Sequence, residues 1–260
     1  MKKNDFFWEE RSKKYGADLS GVMFKSLPKD LNIYLHNWQL SEITKVIDKN
    51  KSLKILDIGC GFGRLAKPLV NKYKNIKVDG IDISKTYVAL FNQLLKGKGK
   101  AKAADATELP FPDKSYDVVY IVTTFMYLSS KSNQEKAFME VNRVLKPEGK
   151  IVFIERSPLG YNFVTMWGLI DVLRGKKNKE IPAVSFSVNA VKKYFHKNNF
   201  LLEEMNGIPF FTLLIHPLII SFKLNESLGK ILLNLAQGFD LMGRGLLTPS
   251  LYVSYIGVKR

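Results

Sequence analysis

Three aspartates and three glycines are the residues of this chain whose types and spacing could do chemistry. Asp57 ends a short apolar run, Ile55-Leu56-Asp57-Ile58, and is followed at alternate positions by Gly59, Gly61 and Gly63. Glycine lets a backbone turn sharply and lets a ligand approach where a Cβ would stand in the way. The helical pattern that begins at Leu65, Leu69 and Val70 puts a helix N-terminus, with its free N–H groups, behind that turn. A carboxylate just ahead of the turn would repel a pyrophosphate and attract an ammonium group. The dinucleotide spacing G-x-G-x-x-G is also not met, since the third glycine falls one place early and position 64 is Arg. Asp82 lies about 20 residues beyond the glycines, where an acidic side chain at a strand end can accept both hydroxyls of a ribose. It could equally cap the helix that starts near Ser84. Asp105, in Ala103-Ala104-Asp105-Ala106, reads by itself as a turn residue ahead of a loop.

The elements that must hold these residues follow from periodicity. Residues 55–58 form a buried strand and the next helix runs to about Tyr73. A second strand covers 76–83. A helix over 86–96 follows, with Val88, Leu90, Phe91, Leu94 and Leu95 apolar, and a basic loop, 96–100, ends it. The third strand is expected at 102–106 and the fourth at 115–122, with Asp117 opening it as a turn residue. A helix over 136–145 faces inward through Phe138, Val141, Val144 and Leu145, and Lys146-Pro147-Glu148-Gly149 breaks it. The fifth strand spans 150–155. Ser187 caps a helix through Val191, Tyr194 and Phe195. A sixth strand at 200–205 and a closing strand at 251–258 complete the alternation, which is that of an α/β sheet.

Between about residues 53 and 156 four motifs occur in order. They are D-x-G-x-G-x-G from Asp57, the acidic strand end at Asp82, Asp105-Ala106-x-x-Leu109-Pro110-Phe111-x-Asp113, and Leu145-Lys146-Pro147-Glu148-Gly149-Lys150-Ile151. Together they resemble class I S-adenosylmethionine-dependent methyltransferases, in particular the type 11, quinone- and small-molecule-methylating branch. The resemblance implies a Rossmann-like doubly wound seven-stranded sheet, its last strand antiparallel. It implies S-adenosyl-L-methionine as cofactor, a molecule with an amino-acid end and no phosphates. Asp57 would then meet the cofactor's amine, the turn Gly59-Cys60-Gly61 its backbone, and Asp82 with Ile83 its ribose. Asp105 would accept from the adenine amino group and the Ala106 N–H would donate to a ring nitrogen. Thr123 closes the set at the end of the fourth strand.

The resemblance also implies that residues 1–50 fold over the cofactor as a helical cover on a methyltransferase domain of 51–260. Trp8 and Tyr15 match a W-x-x-x-x-x-x-Y arrangement found in the family; they could as well pack only on the core with Phe6 and Phe7. A second helix of this cover is expected from about Leu31 to Ile47. Two insertions, 157–186 and 208–247, sit where helical caps over the pocket would lie. The first has Tyr161, Phe163, Met166, Trp167 and Leu169 and the basic loop 174–179. The second begins with an apolar stretch, 208–220, read as a buried cap helix, as a wall for a greasy substrate, or as a patch at a membrane surface.

Methyl transfer from a sulfonium needs positioning and a dry pocket, and needs a base only when the acceptor must lose a proton first. Glu155 and Tyr127, at the ends of the fifth and fourth strands, are the candidate catalytic residues. His36, His196 and His216 are better read as structural, and no His/Cys/Asp cluster has metal-ligand spacing. The fourth strand is not followed by Asn/Asp-Pro-Pro-aromatic, which disfavours adenine or amide nitrogen as acceptor. The absence of a cysteine there excludes the usual cysteine route to pyrimidine carbon. The expected acceptor is a small molecule or a lipid-linked one, methylated at oxygen or carbon.

Bulk properties set the limits. The chain has 260 residues and a single cysteine, Cys60, so no internal disulfide can form and a reducing, cytoplasmic setting is expected. No secretory signal is visible, and no run reaches the roughly 18 apolar residues of a spanning helix. A net charge of +16 admits an acidic substrate, nucleic acid or peripheral contact with the inner membrane face, but the lysines are scattered along the chain. Clustered basic and aromatic interleaving is missing, which disfavours RNA methylation. A cofactor-binding protein without turnover and a nicotinamide-dependent enzyme are the remaining alternatives.

Overall fold

The computed structural model describes residues 3–25, 27–128, 130–165, 183–243 and 245–260. Its centre is a seven-stranded sheet in the order β3-β2-β1-β4-β5-β7-β6. The strands are β1 (Leu53–Ile58), β2 (Ile76–Asp82), β3 (Ala101–Ala103), β4 (Tyr116–Val122), β5 (Leu145–Arg156), β6 (Phe200–Gly207) and β7 (Tyr252–Lys259). β1 to β5 are parallel, whereas β7 runs antiparallel to both β5 and β6. The chain leaves β1 in one direction to β2 and β3 and then returns to its other side at β4. The crevice above β1 and β4 is therefore the switch point where open α/β sheets bind ligands.

Strand alternation divides the core into two layers. Ile55, Val118, Tyr120, Val152 and Ile154 face one layer, while Leu56, Val119, Ile121, Ile151 and Phe153 face the other. Both faces are covered by helices, which is why these strands read as continuous apolar runs rather than alternating ones. The second layer is aromatic. Phe138 stacks on Tyr194 at 4.8 Å and meets Phe125 and Phe153 at 5.3 and 5.1 Å. A truncation such as Phe138→Ala there would cost about 3–5 kcal/mol.

Helix α1 (Lys3–Tyr15) and helix α2 (Lys29–Thr44) precede β1, and a 3₁₀ turn at Leu19–Gly21 joins them. The core helices are α3 (Ala66–Lys72), α4 (Lys85–Leu95), α5 (Lys131–Val144) and α7 (Val188–Lys197). The Ser84, Ser130 and Ser187 side chains cap α4, α5 and α7 through the N–H groups of Tyr87, Asn133 and Ala190. α6 (Pro158–Thr165) opens the first insertion, whose residues 166–182, with Met166, Trp167, Leu169 and the basic loop, lie outside the described residues.

The second insertion is a helical hairpin, α8 (Pro209–Leu224) and α9 (Glu226–Met242). Buried Asp240 ties it down by accepting the Phe210 and Phe211 N–H groups and the Tyr34 hydroxyl of α2 at 2.8–3.1 Å. α8 is not apolar on its buried side alone: Phe211, Ile215 and Leu218 face in, but Leu213, Ile220 and Leu224 face out. Among the described residues no helix is long and apolar enough to cross a membrane.

Three boundaries differ from expectation. α5 begins at Lys131, behind its Ser130 cap, rather than near 136. β3 is only three residues and ends at Ala103, so Asp105 sits in the loop beyond it, where its side chain closes a turn with Thr107. β5 begins at Leu145, directly after α5. The breaker residues are absorbed into the strand by a register shift opposite Tyr116/Val118, with Glu148 at φ +61.

Candidate functional site

A cavity of about 160 Å³ opens at the switch point, above the ends of the first four strands. Its floor is the glycine turn. Gly59 has φ +76, and a Cβ there would come within 2.1 Å of the Thr124 hydroxyl, so neither the conformation nor the space admits a side chain. Gly59 and Cys60 donate their N–H groups to the Ile81 carbonyl, and Gly61 donates to Asp82 Oδ2 at 2.9 Å. Asp82 Oδ1 accepts the Ser84 N–H at 2.9 Å. One carboxylate thus ties the glycine turn to the start of α4.

Asp57 is buried beneath the turn and accepts the Tyr120 hydroxyl at 2.7 Å. Burial pushes it up to about 7; the Tyr120 bond and the Arg64 charge oppose this, and Asp82 adds to it. Asp82 is likewise pushed up by burial, to about 6, against the pull of the Ser84 and Gly61 N–H groups. Two carboxylates held near neutrality in one cleft are a site that gains by receiving a cation.

Asp57, Gly59, Cys60, Gly61, Asp82, Ile83, Asp105, Ala106, Thr123 and Tyr127 all line this cavity. Thr123 does so from a strained backbone, φ +52, which is unusual for a β-branched residue. Burial pushes the Cys60 thiol well up, so it is an inert small residue in the turn.

Glu155 was expected to point into the cleft and does not. It is 1% exposed and lies under the turn after β4, where Oε1 accepts the N–H groups of Thr124, Phe125 and Met126 at 2.8, 2.6 and 3.4 Å. Burial still pushes its carboxyl up to about 8 despite the three donors. Of the two catalytic candidates, only Tyr127 reaches the cavity. His36 and His216 are engaged with Arg64 and Phe163. No grouping of His, Cys, Asp and Glu among the described residues could hold a metal.

The cavity wall joins two residues expected from the sequence, Trp8 and Tyr127, to others that the motifs do not supply. Trp8 of α1 packs edge-on against Tyr127, ring centres 5.0 Å apart, and Val22, Leu128 and Asn133 complete the rim. α1 is fastened at two points. Glu9 accepts the Thr86 and Ser84 hydroxyls at 2.7 and 2.9 Å; burial alone would raise its carboxyl, but these bonds hold it below the ordinary range. Arg11 donates to the Gly21, Ser20 and Met23 carbonyls at 2.6–2.9 Å.

Arg64, the residue after the third glycine, folds back to Gln39 at 2.7 Å and His36 at 3.2 Å and brings its guanidinium into the cavity wall. Burial pulls its guanidinium down to about 10, against the attraction of Asp57. The only sequence signal for Arg64 was its place beside the turn, because its partners lie on α2.

Residues 56–153 match a family described as the methyltransferase domain. A demethylmenaquinone methyltransferase of Thermotoga maritima is 29% identical over 46% of this chain and 51% of its own length. A sterol 4-C-methyltransferase of Caenorhabditis elegans is 30% identical over 42% of this chain and 33% of its own. The chain thus spans about half of the length of the first relative and a third of the second. In structure it is similar to geranyl diphosphate C-methyltransferase from Streptomyces coelicolor, solved with S-adenosyl-L-homocysteine. The TM-score is 0.61 at 14% identity, covering 86% of this chain and 76% of that one, which shows a shared fold.

Proposed function

We propose that this chain, a class I S-adenosylmethionine-dependent methyltransferase, moves the methyl group to an oxygen or carbon of a small-molecule or lipid-linked acceptor. The observation that carries the reading is the convergence of Asp57, Asp82 and Asp105 on one cavity around a turn with no room for a side chain at Gly59.

The residues present fit that cofactor. A buried carboxylate at Asp57 is matched to an ammonium, and Asp82, at the tip of β2, to a pair of ribose hydroxyls. Asp105 and the Ala106 N–H offer the acceptor and donor that an adenine edge requires. Arg64 adds a cation beside Asp57, suited to the carboxylate of the same amino-acid end. Three acidic groups with one arginine and no further basic residue in the lining disfavour a pyrophosphate. When bound, the cofactor supplies an electrophilic methyl and its own leaving group.

The chain's contribution is to bind, orient and exclude water. Trp8, Val22, Tyr127 and Leu128 give an apolar rim, which supports a greasy acceptor, as do the quinone and sterol relatives. In this reading Tyr127, the catalytic candidate that lines the cavity, hydrogen-bonds the acceptor's reacting group. Glu155 acts at one remove, as a positioning residue for the turn that carries Thr123 and Tyr127.

Calorimetry with S-adenosylhomocysteine against NAD tests the cofactor: micromolar binding of the first and none of the second is expected. Release of label from methyl-labelled cofactor across a panel of quinols, sterols and short-chain phenols tests the acceptor. Binding without turnover on any of them would reduce the protein to a cofactor carrier.

A further inference from the structure

The helix α9 carries two apolar stripes. One, through Gly229, Leu233 and Ala236, is buried with Asp240 against the body of the protein. The other, Leu228, Ile231, Leu235, Phe239 and Met242, recurs at steps of three and four residues on the opposite side, which is helical spacing. Its members are exposed by between 45% at Phe239 and 76% at Met242. α8 repeats the arrangement with Leu213, Ile220 and Leu224 outward, the last 75% exposed at the hairpin tip. The inner stripes are needed by the fold. The outer ones stay largely in solvent, apart from Phe239, which meets the Phe210 ring at 5.4 Å, and they cost solubility. No charge interrupts the outer α9 stripe, since Glu226 and Lys230 pair with each other and Asp240 is buried.

We propose that the outer face of the α8–α9 hairpin docks on an anionic membrane surface. Charge selects this occupant over a second copy of the chain. With a net charge of +16, two copies repel as they approach, whereas an anionic bilayer attracts each one. Lys223, exposed beside the protruding Leu224 at the hairpin tip, adds a cation where an apolar residue would enter an interface of headgroups over acyl chains. Docking is independent of the methyl-transfer reading and its failure would leave that reading standing.

Flotation of the full chain with vesicles tests it. Phosphatidylcholine vesicles with about 30% phosphatidylglycerol at low salt should bind at least about tenfold more tightly than pure phosphatidylcholine. The double variant Ile231→Ser/Leu235→Ser should lose about tenfold of that binding, and Leu224→Ser a smaller factor, with S-adenosylhomocysteine affinity unchanged in both. Three results would overturn the proposal: no binding to the anionic vesicles, wild-type binding by both variants, or a dimer in sedimentation velocity that the double variant splits.

Discussion

The Tyr120 hydroxyl donates to Asp57 Oδ2 at 2.7 Å, joining β4 to β1 directly beneath the glycine turn. This bond is one of the forces that hold Asp57 ionisable near neutral pH. In Tyr120→Phe the Asp57 carboxyl should rise further above about 7, so more of it is protonated when a cation arrives. S-adenosylhomocysteine should then bind about tenfold more weakly at pH 7, with the deficit closing toward pH 9. Calorimetry across that range checks it, and a deficit that does not change with pH would contradict it.

Three buried carboxylates tie stability to pH. Asp57 and Asp82 sit at about 7 and about 6, against 3.8 as their ordinary value, and Glu155 at about 8 against 4.5. Between those limits the folded chain keeps protons that the unfolded chain has released. The ligand-free protein should therefore lose stability as pH rises from about 4 to about 8. Asp57→Asn removes the larger of the two contributions from the cleft. It should be more stable than wild type by about 1–3 kcal/mol at pH 8 and no different near pH 4, as read from urea unfolding, while cofactor binding is lost.

Position 59 should tolerate nothing but glycine. Gly59→Ala combines φ +76 with a 2.1 Å approach to Thr124. A loss of about 2–3 kcal/mol and of cofactor binding is expected. Gly97 has a similar φ of +84 but open space around it, so Gly97→Ala should cost only about 1 kcal/mol and leave binding intact.

Glu155 distinguishes a positioning role from a base. Glu155→Gln keeps an acceptor for the Thr124, Phe125 and Met126 N–H groups, whereas Glu155→Ala strands them. The alanine variant should lose about 1–3 kcal/mol of stability, and its kcat should fall more than its affinity for S-adenosylhomocysteine. The glutamine variant should retain most activity. Equal loss in both would mean that Glu155 exchanges a proton with the acceptor after all.

Much of this architecture is legible in the sequence for a local reason. Strand, turn and helix in residues 53–95 are each decided by neighbouring residues: the apolar run of β1, the φ > 0 requirement at Gly59 and Gly61, and the Ser84 cap. What escapes is set at long range. Glu155 follows the strand into the expected place, but its rotamer is decided by a turn some 30 residues earlier that brings three unpaired N–H groups to it. Arg64 turns toward α2 rather than along its own helix because Gln39 and His36 offer it acceptors. The apolar 208–220 stretch shows no clear face in sequence, and only the Asp240 anchor decides which side of the hairpin is outside.

The two-point attachment of α1, by Glu9 to Ser84 and Thr86 and by Arg11 to the 20–23 backbone, separates tightness from tempo. The strand-tip carboxylates govern how strongly a guest is held. The threshold it crosses beside Trp8 is kept by residues that need never touch it, so weakening Glu9 or Arg11 should quicken arrival and departure alike.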